Sequence, residues 1–517
     1  MGLLSLAIWL PVATGLLLLV FGRDRHAGAV RWFALLAALA SLAVTVPLIT
    51  GFDNSLATMQ FAEQPFNPAT EFWIARLHAH YHLGVDGISM WFVPLTAFIN
   101  VIVVIAAWEV ITERVNQYMG AFLILSGLLI GVFCAVDGLL FYVFFEATLI
   151  PMYIIIGVWG GPRRVYAAFK FFLYTLAGSL LLLIALIYLY ANTAHPTAKE
   201  FVDMVDASRY TDVGNFSILA WHKLKLSMGE QTLLFFAFFA AFAVKVPMWP
   251  VHTWLPDAHV EAPTGGSVVL AAIMLKLGGY GFLRFVLPIT PDASREFGWI
   301  IIALSLVAVV YIGLVALVQQ DMKKLVAYSS IAHMGFVTMG FFLPGQELGT
   351  SGAIVQMVSH GFVSGAMFLC IGVLYDRVHS REISSYGGVV NTMPKFTAFA
   401  VFFAMANCGL PGTAGFVGEW MVILAAVKFN FWIGALAATA LIFGAAYTLW
   451  MVKRVYFGPV VNDDVRGLSD INAREYLMLA VLAVAVLWMG LYPKPFTDVM
   501  HVSVTELLKH VAISKLP

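Results

Sequence analysis

The chain has 517 residues, of which 61% are hydrophobic and 11% charged, whereas an ordinary soluble domain, which this composition excludes, has roughly 45–50% and 25%. The 29 Lys and Arg residues cancel the 29 Asp and Glu residues, so the neutral chain has no basic surface with which to bind nucleic acid. The three cysteines, Cys134, Cys370 and Cys408, stand apart, which excludes a disulfide framework and a cysteine-rich zinc or iron–sulfur site.

Apolar runs of about twenty residues recur along the chain, and each is long enough to cross a hydrocarbon core of about 30 Å as a helix. They predict an all-α integral membrane protein with about fourteen transmembrane helices, over residues 3–22, 30–50, 88–108, 119–136, 138–158, 170–191, 231–250, 265–287, 299–318, 325–343, 353–375, 396–427, 431–452 and 476–492. The first run lacks preceding basic residues and a small-residue cleavage site, which favours a retained helix over a signal peptide. The 396–427 run is too long for one straight helix, so we expect it to tilt, bend or break.

The distribution of basic residues predicts the orientation. Most Lys and Arg residues of the short loops fall in one set of loops, and the positive-inside rule places that set in the cytoplasm. The long 192–230 loop, with Lys199, Arg209, Lys223 and Lys225, opposes this assignment, but long loops translocate largely regardless of charge. We therefore expect a multi-pass protein of the bacterial cell inner membrane with both termini on the periplasmic side.

Ionisable residues inside the predicted spans are the main functional signal, because each costs about 2.5–3.5 kcal/mol at the centre of a membrane helix. They are Glu146, Lys245, Lys276, Arg284, His333, His360 and Glu419. The structural alternative for each is a buried salt bridge, a hydrogen-bonded core position or a side chain that reaches the interface. That alternative is favoured for Arg284, near a span end, whereas the side chain of Glu146 is too short to reach the interface.

Prolines break two of the charged spans. Pro247 and Pro250 lack an N–H and leave the carbonyls of Ala243 and Val246, on either side of Lys245, without helical partners. Pro411 and four nearby glycines precede Glu419 in the same way. Irregular backbone at membrane depth is tolerated only where it is buried in protein or lines a wet cavity. Two broken spans, the seventh and the twelfth, each with one charge, are typical of a transporter.

Spans four to eight and nine to thirteen form two sets of five, and an odd number of spans inverts the second set relative to the first. The sequence therefore predicts N-terminal helices one to three with an external loop (1–118), a first antiporter-like five-helix repeat (119–287), a second, inverted repeat (299–452), and a C-terminal loop with helix fourteen and a tail (453–517). Such a repeat places its ionisable groups near mid-membrane.

These groups are suited to moving protons. At about 6 Å and an effective dielectric constant of about 20, a Glu–Lys pair is worth roughly 3 kcal/mol. Separating Glu146 from Lys245 would therefore change how firmly each side chain holds its proton, which makes the pair a candidate electrostatic switch.

Two other clusters are less informative. His78, His80 and His82 alternate in a loop, but no fourth ligand is evident, so we predict no metal site. Asp257, His259 and Glu261 follow a broken helix at the cytoplasmic face, where proton uptake or helix capping is favoured over catalysis.

Four long motifs closely resemble the antiporter-like membrane subunits of respiratory complex I: Leu83–Ser89, Lys245–Thr264, Gln320–Gly335 and His360–Arg377. The resemblance runs over essentially the whole chain. It favours the M-type subunit, which is chain 4 in mitochondria, because Glu419 stands in the twelfth span where the L- and N-types typically carry Lys. The chain also ends about 25 residues after the last span, too soon for the long lateral helix of the L-type.

The resemblance implies a role for each buried group. Glu146 and Lys245 match the family's Glu–Lys pair, Lys276 its connecting lysine and Glu419 its distal carboxylate, while His333 and His360 match histidines near the central hydrophilic axis. The implied mechanism couples quinone reduction elsewhere in the complex to a change at Glu146. Lys245 then exchanges its proton through Lys276 and the histidines with Glu419.

The resemblance also implies the setting. The chain itself is expected to bind no cofactor and to perform no redox chemistry, while NADH, FMN, iron–sulfur clusters and quinone belong to partner subunits. Expected partners are the L-type and N-type subunits, small membrane subunits and the lipid bilayer. Three alternatives stay open: a subunit of a multisubunit sodium/proton antiporter, an arm of a membrane-bound hydrogenase, and a structural subunit whose buried charges only join helices.

Overall fold

A computed structural model describes residues 2–63, 73–193 and 215–517. Within these residues, thirteen helices are long and apolar enough to cross a membrane, or fourteen if the bent pair Ile383–Asn391 and Pro394–Asn407 counts as one span. The structure thus confirms the prediction of an all-α, multi-pass membrane protein. Lys199 and Arg209 of the long loop lie outside the described residues.

The first half of the chain contains eight of these helices. They are Leu3–Phe21, Asp24–Thr50, Phe92–Val110, Val115–Cys134, Gly138–Trp159, Arg164–Asn192, Met228–Lys245 and Thr264–Ile289. Two short antiparallel strands, Gln60–Glu63 and Leu83–Val85, lie between the second and third helices. Local capping sets several boundaries: Asp137, for example, accepts the N–H groups of Leu139 and Leu140 at the start of the fifth helix.

The second half of the chain also consists mainly of long helices. They are Pro291–Leu317, Met322–Phe342, Glu347–Val378, Pro394–Asn407, Ala414–Phe429, Phe431–Tyr456, Ala473–Leu491 and Lys494–Ala512. Three spans form the centre of the protein: Thr264–Ile289, whose most apolar window is 100% buried, and Met322–Phe342 and Glu347–Val378, which are 94% buried. Because Lys276, His333 and His360 lie on these central helices, they are shielded from lipid.

The helix that carries Lys245 ends at that residue. Pro247 and Pro250 lie in the turns that follow, and a short helix, Trp254–Glu261, precedes the next span. The N–H of Met248 donates to the carbonyl of Ala243 over 2.7 Å, so one of the two carbonyls that the prolines were expected to leave open has a backbone donor.

The long 396–427 run is divided into two helices. Pro394–Asn407 ends before Pro411, and Ala414–Phe429 begins after it and carries Glu419. The inverted relation between the two sets of spans stays a prediction.

The sequence analysis missed one helix. It treated the residues after the last span as a tail, but Lys494–Ala512 is helical and buries Phe496, Val499, Met500 and Val504. These apolar positions recur every three or four residues, which is the pattern of a helix with one buried face.

Both termini lie on the same side of the protein, which we call the terminal face. Near the N-terminus, the N–H groups of Leu4 and Ser5 donate to Glu63, in the loop between the second and third spans. Near the C-terminus, Ser503 accepts the N–H of Gly87 from the same loop over 2.9 Å. A Cβ atom on Gly87 would lie 2.2 Å from the Val499 carbonyl, so only glycine permits this packing.

The last residues fold back onto the terminal face. Lys515 is 7% exposed, its ammonium group donates to the Pro288 carbonyl, and its N–H donates to Asp292 over 2.9 Å. The Lys515 carbonyl in turn accepts the N–H of Leu226 over 3.2 Å. Burial lowers the pKa of Lys515 to about 7, although the nearby Asp292 opposes this effect.

Candidate functional site

Two of the predicted residues meet at the centre of the protein. The Lys276 ammonium group lies 2.7 Å from Nδ1 of His360, and both side chains are buried. Lys276 also donates to the carbonyl of Ala271, within the π-helical turn Leu270–Met274. Insertions of this kind are frequent at functional sites because they redirect backbone groups within a helix. Lys276 is therefore held by one titratable partner and one backbone carbonyl.

Two further residues extend this line. Nδ1 of His333 lies 2.7 Å from a carboxylate oxygen of Glu419, and the rings of His333 and His360 have centroids 5.8 Å apart. Nε2 of each histidine has no hydrogen-bond partner among the described residues. Lys276, His360, His333 and Glu419 thus form a buried row, which we call the central relay, with the two imidazoles packed edge to face.

The structure adds Gln356, which the sequence analysis missed. Its Nε2 donates to Glu419 over 3.1 Å. The two helices that carry Gln356 and Glu419 approach closely here, since a Cβ atom on Gly418 would lie 2.6 Å from the backbone nitrogen of Gln356. Gln356 carries no charge and so escaped a search for ionisable residues, but a buried amide one turn before His360 on the same helix is a detectable signal.

Replacing Gln356 by leucine tests whether this amide holds Glu419 in the relay. A hydrogen bond to a charged group is worth about 1.5–3 kcal/mol, and its loss would free the carboxylate to turn away from His333. We expect the Gln356→Leu variant to retain its fold and to lose about threefold of the activity that depends on this row, which is less than the full bond energy would give, because His333 still binds Glu419. The exposed Gln117→Leu is the matched control; equal activity of both variants would contradict this role for Gln356.

Lys245 and Glu146 are not joined to the central relay or to each other. The Lys245 ammonium group is buried and lies 4.7 Å from the centre of the Phe145 ring. Neither this group nor Oε1 of Glu146 has a hydrogen-bond partner among the described residues. Glu146 lies within electrostatic reach of Lys245 and beside the Ser179 hydroxyl. The structure therefore holds the expected pair in a separated arrangement, with the ammonium group against an aromatic face.

A cavity of about 360 Å³ opens on the side opposite the terminal face. Charged residues of both signs line it, namely Glu113, Arg164, Glu261, Lys323, Asp376, Arg381, Arg474 and Glu475. Such a mixed lining suits water rather than an apolar ligand. The lining is therefore that of a vestibule for water on this face.

His259 lies between this cavity and the central relay. It is fully buried, its ring stacks on Phe368 with centroids 4.3 Å apart, and both Lys323 and Lys276 act on it electrostatically. Neither ring nitrogen has a partner among the described residues.

The neighbours of His259 have structural partners. Asp257 binds Lys170 over 2.6 Å, and Glu261 accepts the N–H of Arg163 over 2.9 Å. Of the three residues singled out after the broken helix, only His259 therefore has buried side-chain polar atoms without a partner among the described residues.

The remaining candidates have simpler explanations. Arg284 forms a buried ion pair with Asp86 over 2.7 Å. The sequence analysis favours such a structural role for this residue. Among the described residues, no three His, Cys, Asp or Glu side chains are placed to hold a metal ion. Burial, with the charge of His80, lowers the pKa of His82 to about 4.

Comparison with known proteins agrees with the architecture. A family model for the transmembrane region of NADH:quinone oxidoreductase and Mrp antiporter subunits matches residues 135–444. NADH-quinone oxidoreductase subunit M of Rhodobacter capsulatus is 50% identical over 516 residues, which cover 98% of this chain and 96% of that protein.

Two solved structures share the fold. A chain of respiratory complex I from Thermus thermophilus superposes with a TM-score of 0.83 at 29% identity, and the match covers 98% of this chain and 99% of that one. A chain of the Mrp complex from Dietzia has a TM-score of 0.80 at 18% identity, with 98% of each chain covered. The second likeness concerns the fold alone.

Proposed function

Since this chain belongs to the family of NADH:quinone oxidoreductase and Mrp antiporter transmembrane subunits, we propose that it is the proton-translocating M-type subunit of a respiratory NADH:quinone oxidoreductase. The central relay carries this proposal, because it lines up four buried titratable side chains from four different helices. A fully buried lysine, two imidazoles and a carboxylate accept and release protons without metal or cofactor.

A proton would move along the relay in short steps. Lys276 donates to His360 across 2.7 Å, and His360 passes a proton to His333 through its free Nε2 and one water. His333 then releases a proton to Glu419, which Gln356 holds in place. Each imidazole uses one nitrogen to receive and the other to release, so it needs no large movement.

The separated Glu146 and Lys245 supply the control step. Lys245 rests against Phe145 without an ionic partner among the described residues, and movement of the Glu146 carboxylate toward it would strengthen its hold on a proton. Quinone reduction in partner subunits would drive this movement. The pair and the central relay are then two stages of one translocation path.

Protons would reach the relay from the wet cavity. The unpartnered ring nitrogens of His259 lie between Lys323, at the cavity wall, and Lys276. In this proposal the cavity faces the cytoplasm, and the terminal face with both termini is periplasmic. The residue ranges 119–287 and 299–452 are the two inverted repeats.

The chain works within an assembly. Other subunits of NADH:quinone oxidoreductase are its partners, and we propose that the L-type and N-type subunits adjoin it in the membrane. The cofactors NADH, FMN, iron–sulfur clusters and quinone are held by partner subunits. The shared fold of the Mrp complex chain keeps sodium transport as an alternative outcome of the experiment below.

The test breaks the middle of the relay. We expect His333→Leu to reduce NADH-driven proton pumping and quinone reduction together, by about fivefold, because protons must then pass from His360 to Glu419 without the imidazole between them. Pumping is measured in liposomes that hold the purified complex, in sodium-free buffer and again with sodium. The exposed His26→Leu variant is the control, and native gels check assembly.

Two outcomes would oppose the proposal. Wild-type rates in an assembled His333→Leu complex would make the relay structural. Pumping that requires sodium in the wild-type complex would favour the antiporter alternative.

A further inference from the structure

The Asp86–Arg284 pair, which belongs to neither the central relay nor the Glu146–Lys245 pair, lies on the path from Lys276 to the terminal face. Lys276 and Arg284 are on the same buried helix, Thr264–Ile289, with Arg284 about two turns nearer the terminal face. This helix contacts other protein segments on all sides. A proton that left Lys276 along the helix toward the terminal face would have to pass Arg284.

The pair is held rigidly. Nη2 of Arg284 lies 2.7 Å from Oδ1 of Asp86, and Nε donates to the Tyr280 hydroxyl over 3.0 Å. The same Asp86 oxygen accepts the N–H groups of Ile88 and Ser89, each over 3.1 Å. Arg284 is 5% exposed and Asp86 4%. These contacts fix both charges in position.

Aromatic side chains and the C-terminal helix enclose the pair. On the relay side, the Tyr280 ring packs against Phe133, with centroids 5.5 Å apart. Phe141 packs against Phe285, with centroids 4.6 Å apart. On the outer side, the C-terminal helix covers the pair, because Gly87, next to Asp86, contacts Val499 and Ser503. The pair therefore lies between an aromatic layer and a packed helix.

This arrangement stops proton transfer. A guanidinium group stays protonated under all conditions in proteins, so it cannot accept an incoming proton and pass another on. Protonation of Asp86 would leave a buried guanidinium without its counter-charge, which is strongly unfavourable. The central relay consists of Lys, His and Glu side chains, which exchange protons, whereas position 284 carries Arg, which does not.

We infer that Arg284, paired with Asp86, is a proton barrier that prevents protons on Lys276 from escaping to the terminal face through the first set of helices. This inference rests on the proposed function, because it assumes that Lys276 carries protons. It assigns directionality to the subunit: protons that enter through the cavity are kept for transfer toward Glu419.

The test measures passive proton conductance. Purified complex is placed in liposomes with an internal pH dye, a pH step is imposed without NADH, and valinomycin with potassium clamps the voltage. We expect Arg284→Gln to raise the conductance about tenfold, because a neutral polar side chain beside Asp86 admits water and the carboxylate becomes protonatable. Arg295→Gln is the matched control, since Arg295 also lies on the terminal face and pairs with Asp292, but outside the path.

A suppressor variant separates a specific path from loosened packing. If the leak runs through Lys276, the Lys276→Met/Arg284→Gln double variant should conduct like the wild type. A leak that persists in this double variant, or wild-type conductance in Arg284→Gln itself, would overturn the inference. If Arg284→Gln fails to assemble, Asp86→Asn/Arg284→Gln leaves no unpaired buried charge. A smaller increase is expected from it, because two neutral amides still admit water although the titratable carboxylate is gone.

The assay needs no NADH, so it measures passive proton conductance past Arg284 whether or not this subunit pumps. Failure of the proposed function would appear instead as normal pumping by the assembled His333→Leu complex. The two failures are therefore distinguishable.

Discussion

In membranes that carry the Glu146→Ala variant, NADH-driven proton pumping and quinone reduction are expected to fall together by at least about tenfold, because a carboxylate near Lys245 contributes roughly 3 kcal/mol when it approaches. The structure holds the two side chains apart, with the Lys245 ammonium group against the Phe145 ring. Without Glu146, no described residue in this region supplies a counter-charge to draw the ammonium group away. Lys245 then keeps one protonation state. Because the complex couples the two processes, proton pumping and quinone reduction slow together.

The important feature of this result is that proton pumping and quinone reduction fall together. If Glu146 only joined helices, the variant would assemble poorly, and the complex that did assemble would pump normally for each electron transferred. Native gels therefore accompany the rate measurements. Glu296→Ala is the matched control because Glu296 is exposed near the start of helix Pro291–Leu317. Wild-type rates in an assembled Glu146→Ala complex would remove the Glu–Lys pair from the mechanism.

Lys276→Met should produce a loss of similar size for a different reason. Methionine fills nearly the same volume within the buried helix, but it cannot hold a proton against His360. The relay would then be cut at its first member, while the Ala271 carbonyl would lose its side-chain donor. We expect pumping to fall by at least about tenfold, with assembly close to that of the wild type.

Reconstituted complex again provides the measurement, with pumping and quinone reduction recorded on the same preparation. Lys428→Met serves as the control because Lys428 is exposed near the end of helix Ala414–Phe429. Pumping by the assembled Lys276→Met complex at the rate of the Lys428→Met control would show that Lys276 is not a member of the path.

Composition and hydropathy predict the membrane fold because lipid imposes strong rules on sequence. A span needs about twenty apolar residues, and any charge left inside it stands out. Glu146, Lys245, Lys276 and Glu419 were identified in this way, and the resemblance of four motifs supplied the family. The C-terminal helix escaped because its apolar residues alternate with polar ones and form no long hydrophobic run.

The connections between these residues could not be predicted. Nothing in the spacing of Lys276, His333 and His360 indicates that the first meets the third directly, since that contact depends on how two helices from different halves of the chain pack. Gln356 was overlooked because an amide carries no charge. Asp86 lies in a loop motif whose partner, Arg284, is 198 positions away in the sequence, and only the folded chain brings the two together.

The docking of Lys515 has a consequence for biogenesis. This residue holds Leu226, Pro288 and Asp292 on the terminal face, yet it is synthesised long after them. This surface can therefore close only after Lys515 has been synthesised and has emerged from the ribosome. A bulky fusion placed directly after Lys515 would hinder this closure, because Lys515 is buried against the residues that it holds.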